Sequence, residues 1–188
     1  MIKVRCAARG VHRVYRNFSG LSCAGLPAQA WLTRRGQKMA GFSIFALQAG
    51  GGVLALSPQM QRSDIPAVAA WAPDLVVCMV ELHELDGAYA AQDVWPDRWA
   101  HFPVQDYGVP DRSLDHRWDE IAKSALEILA GGGRVLVHCH GGCGRSGMAV
   151  LRLMIAAGED PDVALARLRG VRPCAVETEQ QMLWAKRG

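Results

Sequence analysis

A chain of 188 residues is close to the usual length of one domain, and its 50% apolar and 21% charged residues exclude collagenous, disordered and membrane classes. The net charge of +3 hides an asymmetry: residues 1–63 hold nine basic side chains and no acidic one, so the remainder sets twelve basic against all 18 acidic residues. A body that is net acidic is not expected to take nucleic acid or an anionic membrane surface as its partner.

The acid-free, Arg-rich start fits an organelle transit peptide, a nucleic-acid arm, or a translated upstream stretch foreign to the native protein. Met39 precedes Phe42-Ser43-Ile44-Phe45-Ala46-Leu47, the first run that reads as a strand. We therefore expect residues 1–38 to be a dispensable basic leader and residues 39–188 to be the folded domain. The longest apolar stretch, Gly41 to Ser57, is broken by Gln48 and by Gly50-Gly51-Gly52, and falls short of the ~20 apolar residues of a membrane helix.

From Met39 onward short apolar runs alternate with helical ones, which predicts an α/β fold with a central, mostly parallel sheet flanked by helices. Val53 to Leu56 reads as a strand, Ser63 as the N-cap of a helix through Ala70, and Leu75 to Val80 as a buried, valine-rich strand. Trp99 to Val104 is a shorter strand. Turn residues follow in Asp106-Tyr107-Gly108-Val109-Pro110-Asp111, and then Leu114, Trp118, Ile121, Ala122, Ala125, Ile128 and Leu129 recur at helical spacing up to Gly131-Gly132-Gly133. Arg134 to His138 is a strand and Gly147 to Ala157 a buried helix closed by Gly158. Asp160-Pro161 opens a helix to Arg169, and Glu177 to Lys186 forms the last.

Between the Arg134–His138 strand and its helix stands Cys139-His140-Gly141-Gly142-Cys143-Gly144-Arg145-Ser146. A loop of this length, leading into a helix N-terminus, turns successive backbone N–H groups inward and makes a site for a tetrahedral dianion. His140, Gly141, Gly142, Cys143 and Gly144 would supply that cradle. The planar fork of Arg145 can hold two phosphate oxygens, and the same positive field favours a thiolate at Cys139. A zinc site from His138, Cys139, His140 and Cys143 would crowd four ligands into six residues with no second ligand pair elsewhere, so no metal or other cofactor is expected.

The stretch resembles the signature of the protein tyrosine phosphatase superfamily, His-Cys-x5-Arg-Ser/Thr with glycines inside the loop, and every fixed position is filled. The segment Phe102-Pro103-Val104-Gln105-Asp106 is similar to the general-acid loop of the small dual-specificity branch, especially the kinase-associated phosphatase type, whose aspartate lies three residues after the proline. The resemblance implies Cys139 as nucleophile, Arg145 as phosphate ligand, Asp106 as general acid, Ser146 as hydrogen-bond partner of the Cys139 sulfur, and His138 as a brace beneath the loop. Asp111 is the alternative acid; Asp106 could instead merely start a turn or cap a helix. Arg172-Pro173-Cys174-Ala175-Val176-Glu177-Thr178-Glu179-Gln180-Gln181 resembles a further element of that branch, with Cys174 in place of a common glycine. It makes Glu177 and Gln181 supporting residues, Glu177 as a loop-bracing carboxylate.

The implied function is hydrolysis of phosphotyrosine, phosphoserine and phosphothreonine in phosphoproteins or phosphopeptides through a cysteinyl phosphate, without metal. A phosphoresidue-binding pseudophosphatase and a rhodanese-like sulfur transferase are the alternatives. The six cysteines show no regular pairing, which points to a reducing, cytoplasmic setting. Cys143, or Cys78 from the neighbouring strand, is a candidate for capping an oxidised Cys139; either could equally be filling space.

Overall fold

Five strands carry the core in the computed structural model, which describes residues 42–85 and 89–187. They are β1 (Phe45–Ala49), β2 (Gly52–Ser57), β3 (Leu75–Cys78), β4 (Trp99–His101) and β5 (Arg134–His138), in the spatial order β1-β2-β5-β3-β4. The β1–β2 hairpin is antiparallel and the other three pairings are parallel, so the mixed sheet fits the mostly parallel expectation. The start proposed at Met39, and the leader before it, lie outside the described residues.

The sheet is buried on both faces, and the two-residue period of its strands sorts them. Leu54, Leu56, Val77, Val135 and Val137 enter one core, whereas Ala55, Val76 and Leu136 enter the other with Phe42, Met60 and Val68. Strands covered on both faces can be apolar at every position, which is why Leu75 to Cys78 and Val135 to His138 are buried throughout.

The helices are α1 (Ile65–Trp71), α2 (Tyr89–Val94), α3 (Asp115–Ala130), α4 (Gly144–Ala156), α5 (Pro161–Val171) and α6 (Glu179–Ala185). In α3 the expected stripe is realised, with Trp118, Ile121, Ala125 and Leu129 buried. Helix α4 follows the loop of interest and is buried along nearly its whole first half, Gly144 through Leu151. Asp160 caps α5 through its carboxylate, which accepts from the N–H groups of Asp162 and Val163.

Four local expectations are corrected. Ser63 is not the cap of α1; it lies in a short 3-10 turn, and the capping position is Asp64, whose carboxylate accepts from the Gln61 N–H at 2.8 Å instead. The strands expected to reach Val80 and Val104 stop at Cys78 and His101 because the chain beyond them turns to bond across the strand ends, Met79 to the His138 carbonyl and Val104 to the Met79 carbonyl. The first strand begins at Phe45, and Phe42 packs on the opposite face from Leu47. Helix α2 was not expected at all.

Candidate active site

The loop from Cys139 to Ser146 leaves β5 in the middle of the sheet and enters α4, so it sits at the carboxyl ends of the parallel strands. That is the position where open α/β sheets place their ligands. Gly142 has φ +68, and a side chain there would strike the backbone of Ser57 and Pro58. A bulkier residue at Gly144 would meet both amide atoms of Gln181 at 2.9 Å. These two glycines let the loop curl against β2 on one side and α6 on the other.

Cys139 is buried, and its sulfur lies 3.3 Å from the Ser146 hydroxyl, seven residues on but in the first turn of α4. The structure therefore brings together the pair that the resemblance joined. Arg145 is buried as well, and its five N–H groups are nearly all assigned. Nη1 donates to Glu84 Oε2 at 2.7 Å and to the Val104 carbonyl at 3.0 Å; Nη2 donates to Glu84 Oε1 at 2.9 Å and meets Asp106 Oδ1 at 2.9 Å. Nε is buried without a partner among the described residues. An orphaned charged donor is costly, and an anion held in the loop would satisfy it.

Glu84 is the residue that sequence reasoning missed. It is held in a 3-10 turn, Leu82–Glu84, just past β3, and its hydrogen bonds from Arg145 outweigh burial and hold its carboxyl below the usual range. In turn, although burial works against its charge, Arg145 is pushed up by the Glu84 carboxylate and by the acidic and thiol groups around it. The available signal was an acid at the carboxyl end of a buried parallel strand; its separation of 61 residues from Arg145 hid the pairing.

Asp106 is exposed at the rim, whereas Asp111 spends its carboxylate on the N–H of Ser113 at 2.8 Å and starts the turn before α3. Of the two candidate acids, only Asp106 is placed against Arg145. Asp106, Glu84, Gln59, Gln61, His83 and His140 line a pocket of about 420 Å³ over the loop. Glu81, His83 and Glu84 bring one ligand atom each within 4.8 Å of one another, but both Glu84 oxygens already accept from Arg145.

His138 is buried below the loop with neither ring nitrogen hydrogen-bonded among the described residues, so its ring does not hold the loop through a hydrogen bond. Burial, reinforced by His101, lowers its pKa from 6.5 to about 4. Gln181 is buried; its Oε1 accepts from the N–H groups of Glu177 and Thr178, and its Nε2 reaches the Gly108 carbonyl at 3.3 Å. It thus ties the start of α6 to the segment bearing Asp106. Glu177, exposed, has a carboxylate oxygen where a side chain on Gly144 would have to go, but among the described residues that carboxylate makes no hydrogen bond to the loop.

The cysteines depart from expectation. Cys143 is not available to Cys139: it is disulfide-bonded to Cys174, with Cα atoms 5.3 Å apart. The segment between α5 and α6 crosses the loop and supplies the partner from 31 residues away, a pairing that sequence spacing does not reveal. It also removes the unpaired cysteines as an argument for a reducing compartment. Among the described residues Cys78 and Cys139 are free and buried. Cys78 is in register with His138 on the adjacent strand, and burial pushes its thiol up to about 12.

Residues 45–186 match the family model for the Swiss Army Knife protein DSP-PTPase phosphatase domain, PTP-SAK. The chain belongs to this family. Among solved structures it is similar to Tk-PTP in its active form, with 32% identity, a TM-score of 0.63, and coverage of 76% of this chain and 95% of that one. It shares the fold of kinase associated phosphatase (KAP) with its catalytic-site cysteine substituted by serine, at 19% identity and TM-score 0.64 over 79% of this chain and 94% of that one. Cyclin-dependent kinase inhibitor 3 of Mus musculus is 36% identical over 83 residues, 43% of this chain and 38% of that protein, so the match spans well under half of the curated relative. Among the described residues no helix is long and apolar enough to cross a membrane.

Proposed function

We propose that this chain is a cysteine-dependent protein phosphatase that hydrolyses phosphotyrosine, and phosphoserine and phosphothreonine as well, in phosphoproteins or phosphopeptides. The observation that carries the reading is the convergence on one anion cradle of the Cys139 sulfur, the Ser146 hydroxyl at 3.3 Å, the Arg145 guanidinium with its unpartnered Nε, and the Asp106 carboxylate at 2.9 Å from Nη2. Membership of a phosphatase-domain family supports it.

A substrate phosphate takes the inward N–H groups of His140 to Gly144 and the Nε edge of Arg145, since Glu84 occupies the other edge. Asp106 then yields its place on Nη2 and turns to the leaving oxygen. The Cys139 sulfur attacks phosphorus as the ester bond breaks, and Asp106 gives the leaving oxygen its proton. In the second step the Asp106 carboxylate takes a proton from water, which attacks the cysteinyl phosphate. Ser146 donates to the sulfur as it departs.

A pseudophosphatase or sulfur transferase would need the Cys-x5-Arg loop but not the acid, and Asp106 facing Arg145 favours catalysis over both. Hydrolysis of para-nitrophenyl phosphate without added metal tests the reading. Wild type should turn over and Cys139→Ser should not, while still binding phosphate analogues; equal turnover by the two proteins would refute the assignment of Cys139.

A further inference from the structure

The loop is held from outside as well as from within. Between α5 and α6, Arg172 donates from Nε to the Gly142 carbonyl at 3.0 Å and from Nη2 to the Gly141 carbonyl at 2.9 Å. Nη2 also reaches Cys143 Sγ at 3.2 Å, and the guanidinium lies 4.4 Å above the Phe45 ring. Two residues later Cys174 is bonded to Cys143, and two further on the Val176 N–H meets the Cys143 carbonyl at 3.4 Å.

A trans peptide unit is planar, with its C=O and N–H pointing in opposite directions. Drawing the Gly141 and Gly142 carbonyls out toward Arg172 therefore turns the N–H groups of Gly142 and Cys143 inward, toward the anion. The disulfide fixes the same corner of the loop covalently, at the residue just before α4. Neither cysteine is required by the phosphatase signature: Cys143 fills a variable position, and Cys174 stands where a glycine is common. Cys174 is exposed and Cys143 half-buried, so a small thiol can reach the bond, whereas Cys78 is buried in the core.

We propose that the Cys143–Cys174 disulfide is a redox-operated brace: intact, it pre-organises the phosphate loop, and opened by a dithiol, it weakens oxyanion binding there. A thiolate of the dithiol attacks the exposed Cys174 sulfur, the Cys143–Cys174 bond breaks, and Cys143 leaves as a thiolate that takes up a proton. The second thiol closes on the mixed disulfide and releases Cys174. One protein disulfide and one dithiol become two protein thiols and one small disulfide, two electrons passing to the protein. The nucleophile and the brace then answer reductant in opposite senses: Cys139 needs to stay reduced, while the loop around it is tightest when Cys143 and Cys174 are joined.

The proposal rests on the loop's being a phosphate site, and the experiment separates the two. Cys139→Ser protein, which cannot turn over, is purified without reductant and titrated calorimetrically with tungstate before and after dithiothreitol. Alkylation and peptide mass mapping report on Cys143 and Cys174. Both cysteines should resist alkylation before reduction and accept it after. The tungstate Kd should rise about five- to thirtyfold, the factor that re-ordering one loop residue on binding imposes. The Cys139→Ser, Cys174→Ser double variant should bind with the weaker affinity in both conditions. Unchanged affinity after proven reduction, or alkylation of both cysteines beforehand, overturns the brace and leaves the phosphate site standing. Absence of tungstate binding in both states contradicts the phosphate site itself and the brace with it.

Discussion

Two carboxylates five residues apart, Asp106 and Asp111, show how little residue type decides and how much placement does. Asp111 has given its oxygen to the Ser113 N–H in a capping bond, while Asp106 stands against Arg145 with no backbone partner among the described residues. Asp106→Ala is expected to lower kcat by roughly 10²-fold or more on a substrate with a poor leaving group, with KM little changed, because the proton is needed only in the transition state. Asp111→Ala should leave kcat alone and shift only the urea midpoint; the reverse pattern in steady-state assays would transfer the acid to Asp111. Cys139, Arg145 and Ser146 were legible in the sequence because one short loop holds them all. Glu84 was not, because it acts on a group 61 residues away and belongs to no local pattern; Arg172 opens the Arg-Pro element, yet nothing in that element signals its bonds to Gly142 and Gly141, 30 and 31 residues away.

At the scale of elements, period and punctuation were readable and the joins were not. Short apolar runs marked all five strands and the spacing of Trp118, Ile121, Ala125 and Leu129 marked α3, since burial imposes those patterns. Strand ends slipped where backbone bonds continue past the ladder, and the cap of α1 was misplaced because a carboxylate one residue on turned back to Gln61. The end of β5 carries its own pH signature. His138 is buried and neutral, with a pKa lowered from 6.5 to about 4, so between those values the unfolded chain binds a proton that the folded one refuses. Stability should be full above pH 6.5 and fall as the pH drops toward 4, by about 3 kcal/mol in all. Carboxylates such as Glu84, held below its ordinary 4.5, lose their contribution at lower pH and do not account for this window. Urea unfolding of wild type and His138→Gln at pH 7 and pH 5 checks it. The variant should lose the difference between the two pH values, and an equal slope in both proteins would assign it elsewhere.

For the whole molecule, the phosphatase family match runs over residues 45–186, and the start expected at Met39 lies outside the described residues. We expect a chain beginning at Met39 to keep full activity and thermal stability; a loss of more than ~2 kcal/mol, large against the 5–15 that hold a domain together, would show that residues 1–38 pack on it. The fold class was legible because alternating strand and helix signals admit few architectures, whereas the disulfide was not, because it depends on the α5–α6 segment crossing the loop in space. All of these parts serve a single chemical event at Cys139. Rapid acid quench of wild type turning over para-nitrophenyl phosphate, followed by peptide mass mapping, tests that event most directly. The account predicts one phosphoryl group on the Cys139 peptide, absent from Cys139→Ser. Turnover with no phosphoryl adduct on Cys139 would contradict it.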